Sequence, residues 1–193
     1  MSAVLSPRQA VAAERRRDTA PNATPPASSP ASASKARYVW ALTRISLGWV
    51  FLWAFLDKAF GLGYATERAD AWVNGGSPTV GFLTFGTNGP FAGAFQSIAG
   101  AAWADWLFMV GLAGIGVALV LGIGTRIAAV SGALMLVLMY AAAPVLENNP
   151  FMDDHLVYAL VLIGLAQVGA GRTWGLGRRW EATDLVRRYP ALR

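Results

Sequence analysis

The sequence predicts an all-α integral membrane protein, a four-helix transmembrane bundle with a long outer loop between its first and second spans. Three observations carry this. The first is composition: 55% of the 193 residues are hydrophobic and only 14% are Asp, Glu, Lys or Arg, with a mean hydropathy of +0.42. A water-soluble domain carries roughly 25% charged residues to cover its surface. The second is clustering. Trp106 to Ile123 and Ile127 to Leu146 contain no charge, and at ~1.5 Å per helical residue each crosses most of a ~30 Å hydrocarbon core. The third is the placement of Lys and Arg. Seven precede the core of the first span, one (Arg126) sits between the second and third, six follow the fourth, and only Lys58 and Arg68 fall on the other side. That 14-to-2 division places both ends and the short loop in the cytoplasm, because basic loops are retained inside.

Residues 1–38 read as a disordered cytoplasmic tail. Pro, Ala, Ser and Thr dominate it, and such a segment buries too little apolar surface to offset its chain entropy. Arg15-Arg16-Arg17 has no apolar stretch behind it, so it is not a secretory leader. The membrane domain covers 39–171, with spans at about Val39–Leu62, Trp103–Ile123, Ile127–Leu146 and Pro150–Ala170. Gly124-Thr125-Arg126 leaves room only for a tight hairpin between the second and third. In the long loop, Thr66 caps a short helix that Asn74-Gly75 ends, and Pro90 opens another short segment, through Ala102, lying along the membrane surface. Gly111, Gly114, Ala118 and Gly122 space small residues along the second span, so that a neighbouring helix can approach closely on the Gly114–Ala118–Gly122 face. Residues 172–193 form a basic cytoplasmic C-terminal tail whose Arg178–Tyr189 stretch, with Trp180, Leu185 and Val186, suits an interfacial helix on anionic lipid.

Composition also narrows the chemistry. With no cysteine and a single histidine, His155, the chain offers no disulfide, thiolate zinc site, iron–sulfur cluster or bis-histidine haem. No haem and no metal are expected from it, and its positive charge reports topology rather than nucleic acid. Gly75-Gly76-Ser77 lacks the ending of a phosphate loop. Redox chemistry would need a diffusible group such as a quinone, or a partner chain.

Two clusters of polar residues stand out. Arg44 and Lys58 are 14 residues apart, ~21 Å on a helix, so Arg44, Asp57 and Lys58 cannot all clear a ~30 Å slab. Either Arg44 and Lys58 reach the two headgroup layers, or Asp57 and Lys58 face an outer cavity and bind a polar head. In the second cluster, Asn149-Pro150 signals a helix start, with Asp153 and Asp154 in the first turn. His155 and Tyr158 share a face there, and an imidazole beside a phenol can hydrogen-bond a quinone carbonyl or relay its proton.

Arg44-xxx-Gly48 leading to Asp57-Lys58, then Gly124-Thr125-Arg126, then Glu147-Asn-Asn-Pro-Phe-Met-Asp-Asp-His155-Leu-Val-Tyr158 resemble the DoxX/DoxD family of small membrane proteins over Arg44 to Gly177. Asn74-Gly-Gly-Ser-Pro78 resembles the longer loop of its actinobacterial members. The resemblance implies a four-helix membrane bundle. It also implies a link to quinone-dependent oxidation, since DoxD-type chains form the large subunit of thiosulfate:quinone oxidoreductases. The expected function is therefore a subunit docking menaquinone or ubiquinone and a small oxidoreductase subunit or sulfurtransferase. His155 and Asp154 are the expected catalytic residues, and Arg44, Asp57, Lys58 and Tyr158 the expected quinone-binding ones. The alternative is a non-enzymatic membrane anchor or scaffold for redox partners. Both readings place the chain in the cell membrane, in contact with lipid, and admit a homo-oligomer.

Overall fold

A computed structural model describes residues 30–144, 149 and 151–193, with side chains from Lys35 onward. By contacts the chain divides between Ser34 and Lys35, and the packed body is Lys35–Arg193. The part of the expected disordered tail before Pro30, the end of the third span beyond Pro144, and Glu147, Asn148 and Pro150 lie outside the described residues, whereas residues 30–38 of that tail are the start of the first helix.

The fold is helical, with no strand among the described residues. In chain order the helices are α1 (Pro30–Phe60), α2 (Ala92–Gln96), α3 (Ala102–Leu121), α4 (Thr125–Ala142), α5 (Asp154–Gln167), α6 (Gly177–Glu181) and α7 (Asp184–Arg188). Within α1 (from Lys35), α3 and α4 are three segments long and apolar enough to cross a membrane. Helix α5 is apolar but has 14 residues, ~21 Å. It begins later than Asn149-Pro150 suggested. Asn149 spends its side chain on a turn, its Oδ1 accepting from the Phe151 and Met152 N–H groups. Asp153 is the N-cap instead, accepting from Leu156 N at 3.1 Å.

One apolar core draws on Leu47 and Phe51 of α1, Leu112, Ile115 and Leu119 of α3, Ala129, Ala133 and Leu136 of α4, and Ala159, Leu162 and Leu165 of α5. A Cβ built on Gly132 would meet Leu162, Ile115 and Phe51 within 3.5 Å, so these four helices converge on a single layer. The close approach between α1 and α3 is made by Gly48 against Leu119 and Val120, and by Gly116 against Leu52. This corrects the expected small-residue seam. Gly114 is exposed and a Cβ there meets nothing within 4 Å. A stripe of small residues records where a helix can approach; Gly116, between the core residues Ile115 and Leu119, is where one does.

At one end, hereafter the hairpin end, Gly122 and Gly124 adopt left-handed backbone and turn α3 into α4. At the other, the loop end, residues 61–101 fold over the helices. The short helix expected after Thr66 is two 3₁₀ turns, Arg68–Asp70 and Trp72–Asn74, ended by Gly75 at φ +90°. The loop is pinned by Asp105, whose Oδ1 accepts from Ser77 Oγ, Thr79 N and Thr79 Oγ1. Asn88 and Gly89 N–H groups reach the Ala142 carbonyl at the end of α4. Within the basic C-terminal tail, the stretch expected as one interfacial helix is the two short helices α6 and α7, packed back on the body. Val186 is fully buried, Trp180 Nε1 donates to Leu192 O, and Arg126 N donates to Arg193 O at 2.7 Å.

Candidate functional site at the loop end

The six expected site residues fall in two places. Arg44 is at the hairpin end and is fully buried. Its Nη1 donates to the carbonyls of Leu119 and Val120, and its Nη2 to those of Thr173 and Trp174. The last carbonyls of a helix lack intrahelical partners, and α3 accounts for all of them: Ala118 O takes Gly122 and Ile123 N–H, Leu121 O takes Leu176 N–H, and Leu119 and Val120 take Arg44. A cation there also meets the negative end of the helix dipole. Arg44 is thus a clamp, 13 residues and ~20 Å of helix away from Asp57.

Asp57, Lys58, Asp154, His155 and Tyr158 are at the loop end. Asp57 is 2% exposed and its carboxylate accepts from Tyr64 N and Ala65 N, holding the chain as it leaves α1. It makes no ion pair with Lys58. Among the described residues the Lys58 ammonium has no hydrogen bond or ion pair, and it is not among the sealed, unpartnered atoms. Two helical turns separate Phe51 from Lys58 and Leu162 from His155, which keeps each pair on one helix face. Phe51 and Leu162 meet the same core layer, so Lys58 and His155 leave it in the same direction and reach a common level ~10 Å beyond it.

The imidazole is oriented by a residue that sequence reasoning used only as a capping acid. His155 Nδ1 lies 2.7 Å from Asp153 Oδ2 and 3.6 Å from Asp154 Oδ1. An ionised carboxylate only accepts, so Nδ1 carries a proton and Nε2 is the ring nitrogen left open. Asp153 serves both tasks, with Oδ1 on the helix cap and Oδ2 on the ring, and its side chain is 3% exposed against 69% for Asp154. The signal for it was the competition between two caps, Asn149 and Asp153. Donor atoms of Asp153, Asp154 and His155 lie within 4.8 Å of one another, but both oxygens of Asp153 are engaged. Tyr158, one turn nearer the core layer, is on the exposed side of α5.

The arrangement supplies a carboxylate-held base and a cation at one level, with an exposed phenol below. A wide depression of about 720 Å³ beside it, lined by Phe60, Leu62, Glu67, Arg68, Val73 and Asn74, contains none of these groups. Depth also matters. From the Ile115–Leu162 layer α3 continues for 13 residues and α5 for 8, so α5 stops ~8 Å short of α3. The imidazole is recessed below the end of α3. Comparison with protein-family models, with curated proteins and with solved structures returns no match.

Proposed function

We propose that the chain is the four-span membrane subunit of a quinone-linked oxidoreductase resembling the DoxX/DoxD type, with α5 as its short fourth span and both ends cytoplasmic. The observation that carries this reading is the recessed Asp153–His155 pair on a level with Lys58. With the hairpin end at one face of a ~30 Å slab, His155 is ~10 Å inside the other. An ionisable group at that depth is costly to keep unless it serves a function, and a lipid-soluble ligand is one that reaches it sideways, past Tyr158.

The residues fit a quinone head. When bound, a quinone supplies a two-electron, two-proton acceptor. Lys58 would donate a hydrogen bond to one carbonyl oxygen, and the second would face His155 Nε2, the ring nitrogen through which a proton can pass. Asp153 fixes the orientation of the ring, the usual task of a carboxylate behind a catalytic histidine. Asp154, exposed at the mouth, connects His155 to water. With no cysteine in the chain, a sulfur substrate such as thiosulfate is received by a partner subunit.

His155→Ala and Lys58→Ala should each weaken quinone binding in membranes about tenfold, the scale of one charge-assisted hydrogen bond. The double variant should lose less than the product, because both groups serve one ligand. Wild-type binding by both single variants would overturn the site and favour the anchor reading. Topology is tested separately, with reporters fused after Ala36 and after Arg193 expected in the cytoplasm and one inserted at the exposed Gly63 expected outside. An external signal from either end would overturn the four-span arrangement.

A further inference from the structure

At the hairpin end, three separate segments line one cavity of about 100 Å³, and two of them supply arginines. Thr125 and Arg126 come from the start of α4, Gln167 and Gly169 from the end of α5, and Arg172 and Arg193 from the folded C-terminal segment. Glu181 is the one acid in the lining, and it is committed: Arg172 Nε donates to both its oxygens at 3.0 Å. The carboxylate bond, and then its charge, hold the Arg172 guanidinium even more firmly protonated than usual. Arg126 has only a 3.5 Å bond to Pro190 O, and Arg193 has no side-chain partner among the described residues. Two guanidinium groups therefore remain unspent around a space large enough for one phosphate.

The rim shows which phosphate. Val168, which lines the cavity just beyond α5, and Ile127, beside Arg126 on α4, are exposed apolar side chains, so the cavity opens where hydrocarbon gives way to headgroups. Trp174, Leu176 and Leu185 are also exposed nearby in sequence, and amphipathic surfaces of this kind settle at that boundary. The platform is rigid, because Val186 and the Trp180–Leu192 bond anchor it. We infer that the hairpin end carries a site for the phosphate of an anionic phospholipid, formed by Arg126, Arg172 and Arg193. The site rests on the membrane placement of the helices and is independent of the quinone reading.

The test measures lipid binding to the purified full chain by native mass spectrometry, with phosphatidylglycerol against phosphatidylcholine, and melting temperature in each. Phosphatidylglycerol should bind preferentially. The double variant Arg126→Gln, Arg193→Gln should bind it about thirtyfold more weakly, as expected for two surface arginines, with its melting temperature in phosphatidylcholine retained. Arg126→Gln alone, which spares the Glu181 pair, should lose about fivefold. The charge-matched variant Arg178→Gln, Arg179→Gln, away from the cavity, should keep most of the preference. Equal losses in the two double variants would show diffuse attraction and overturn the site. So would inorganic phosphate binding as tightly as phosphatidylglycerol.

Discussion

Replacing Arg44 with leucine should lower the stability of the protein by on the order of 3 kcal/mol, read as a fall of roughly 10 °C in melting temperature in detergent. The change removes the donors to four carbonyls: Leu119, Val120, Thr173 and Trp174. Leu119 has no helical partner to return to, since Ile123 N–H is already bonded to Ala118 O. A buried carbonyl without a donor costs ~1–3 kcal/mol. Arg44→Lys should recover less than half of the loss, because an ammonium cannot span two pairs of acceptors as a planar fork does. A leucine variant melting with the wild type would show that the guanidinium is not the clamp. Quinone binding should follow stability in this variant, with no separate loss, because Arg44 is at the far end from His155.

The second large effect is expected at Gly116. A Cβ there would lie 2.7 Å from the Leu52 N atom and 2.9 Å from its Cα, and backbone cannot swing aside as a flexible side chain does. Gly116→Val should therefore push α1 from α3 and cost about 3 kcal/mol, at the upper end of overpacking penalties. Gly114→Leu, two residues away on the open face, should change stability by less than about 0.5 kcal/mol. Parallel melting curves in one detergent distinguish the two. A larger loss at Gly114 than at Gly116 would mean that the small-residue stripe, not the Gly48–Gly116 crossing, is the packed seam.

These two sites mark where the sequence was legible and where it was not. The long helices were legible because an 18- or 20-residue apolar run has few other uses, and Gly124-Thr125-Arg126 left room only for a tight hairpin. The face by which α3 meets α1 was not, because Gly111, Gly114, Gly116 and Ala118 are all small and spacing cannot say which neighbour comes closest. The start of α5 was ambiguous for a similar reason. Asn149 and Asp153 are both good caps, and the choice depends on the turn that Asn149 stabilises and on the hydrogen bond from His155 to Asp153. At the site, the polar cluster from Asp153 to His155 was visible, and so was Lys58. The separation of Arg44 from them followed from helix rise. Its role did not, since its four acceptors are main-chain carbonyls and leave no trace in residue type. Asp105 went unremarked because its partners, Ser77 and Thr79, lie in a loop 26 to 28 residues earlier.

The Arg44 clamp also has a consequence for how the chain is made. Arg44 belongs to the first long helix to leave the ribosome, yet two of its four acceptors, Thr173 and Trp174, lie 129 and 130 residues later. At ~5–20 residues per second of synthesis, the guanidinium waits on the order of ten seconds before its last partners exist. Through that interval the nascent first helix carries an incompletely neutralised cation in the membrane, held by water, lipid headgroups or the insertion machinery. Completion of the C-terminal segment supplies those two acceptors, so a chain stopped short of Thr173 has only the Leu119 and Val120 half of the clamp.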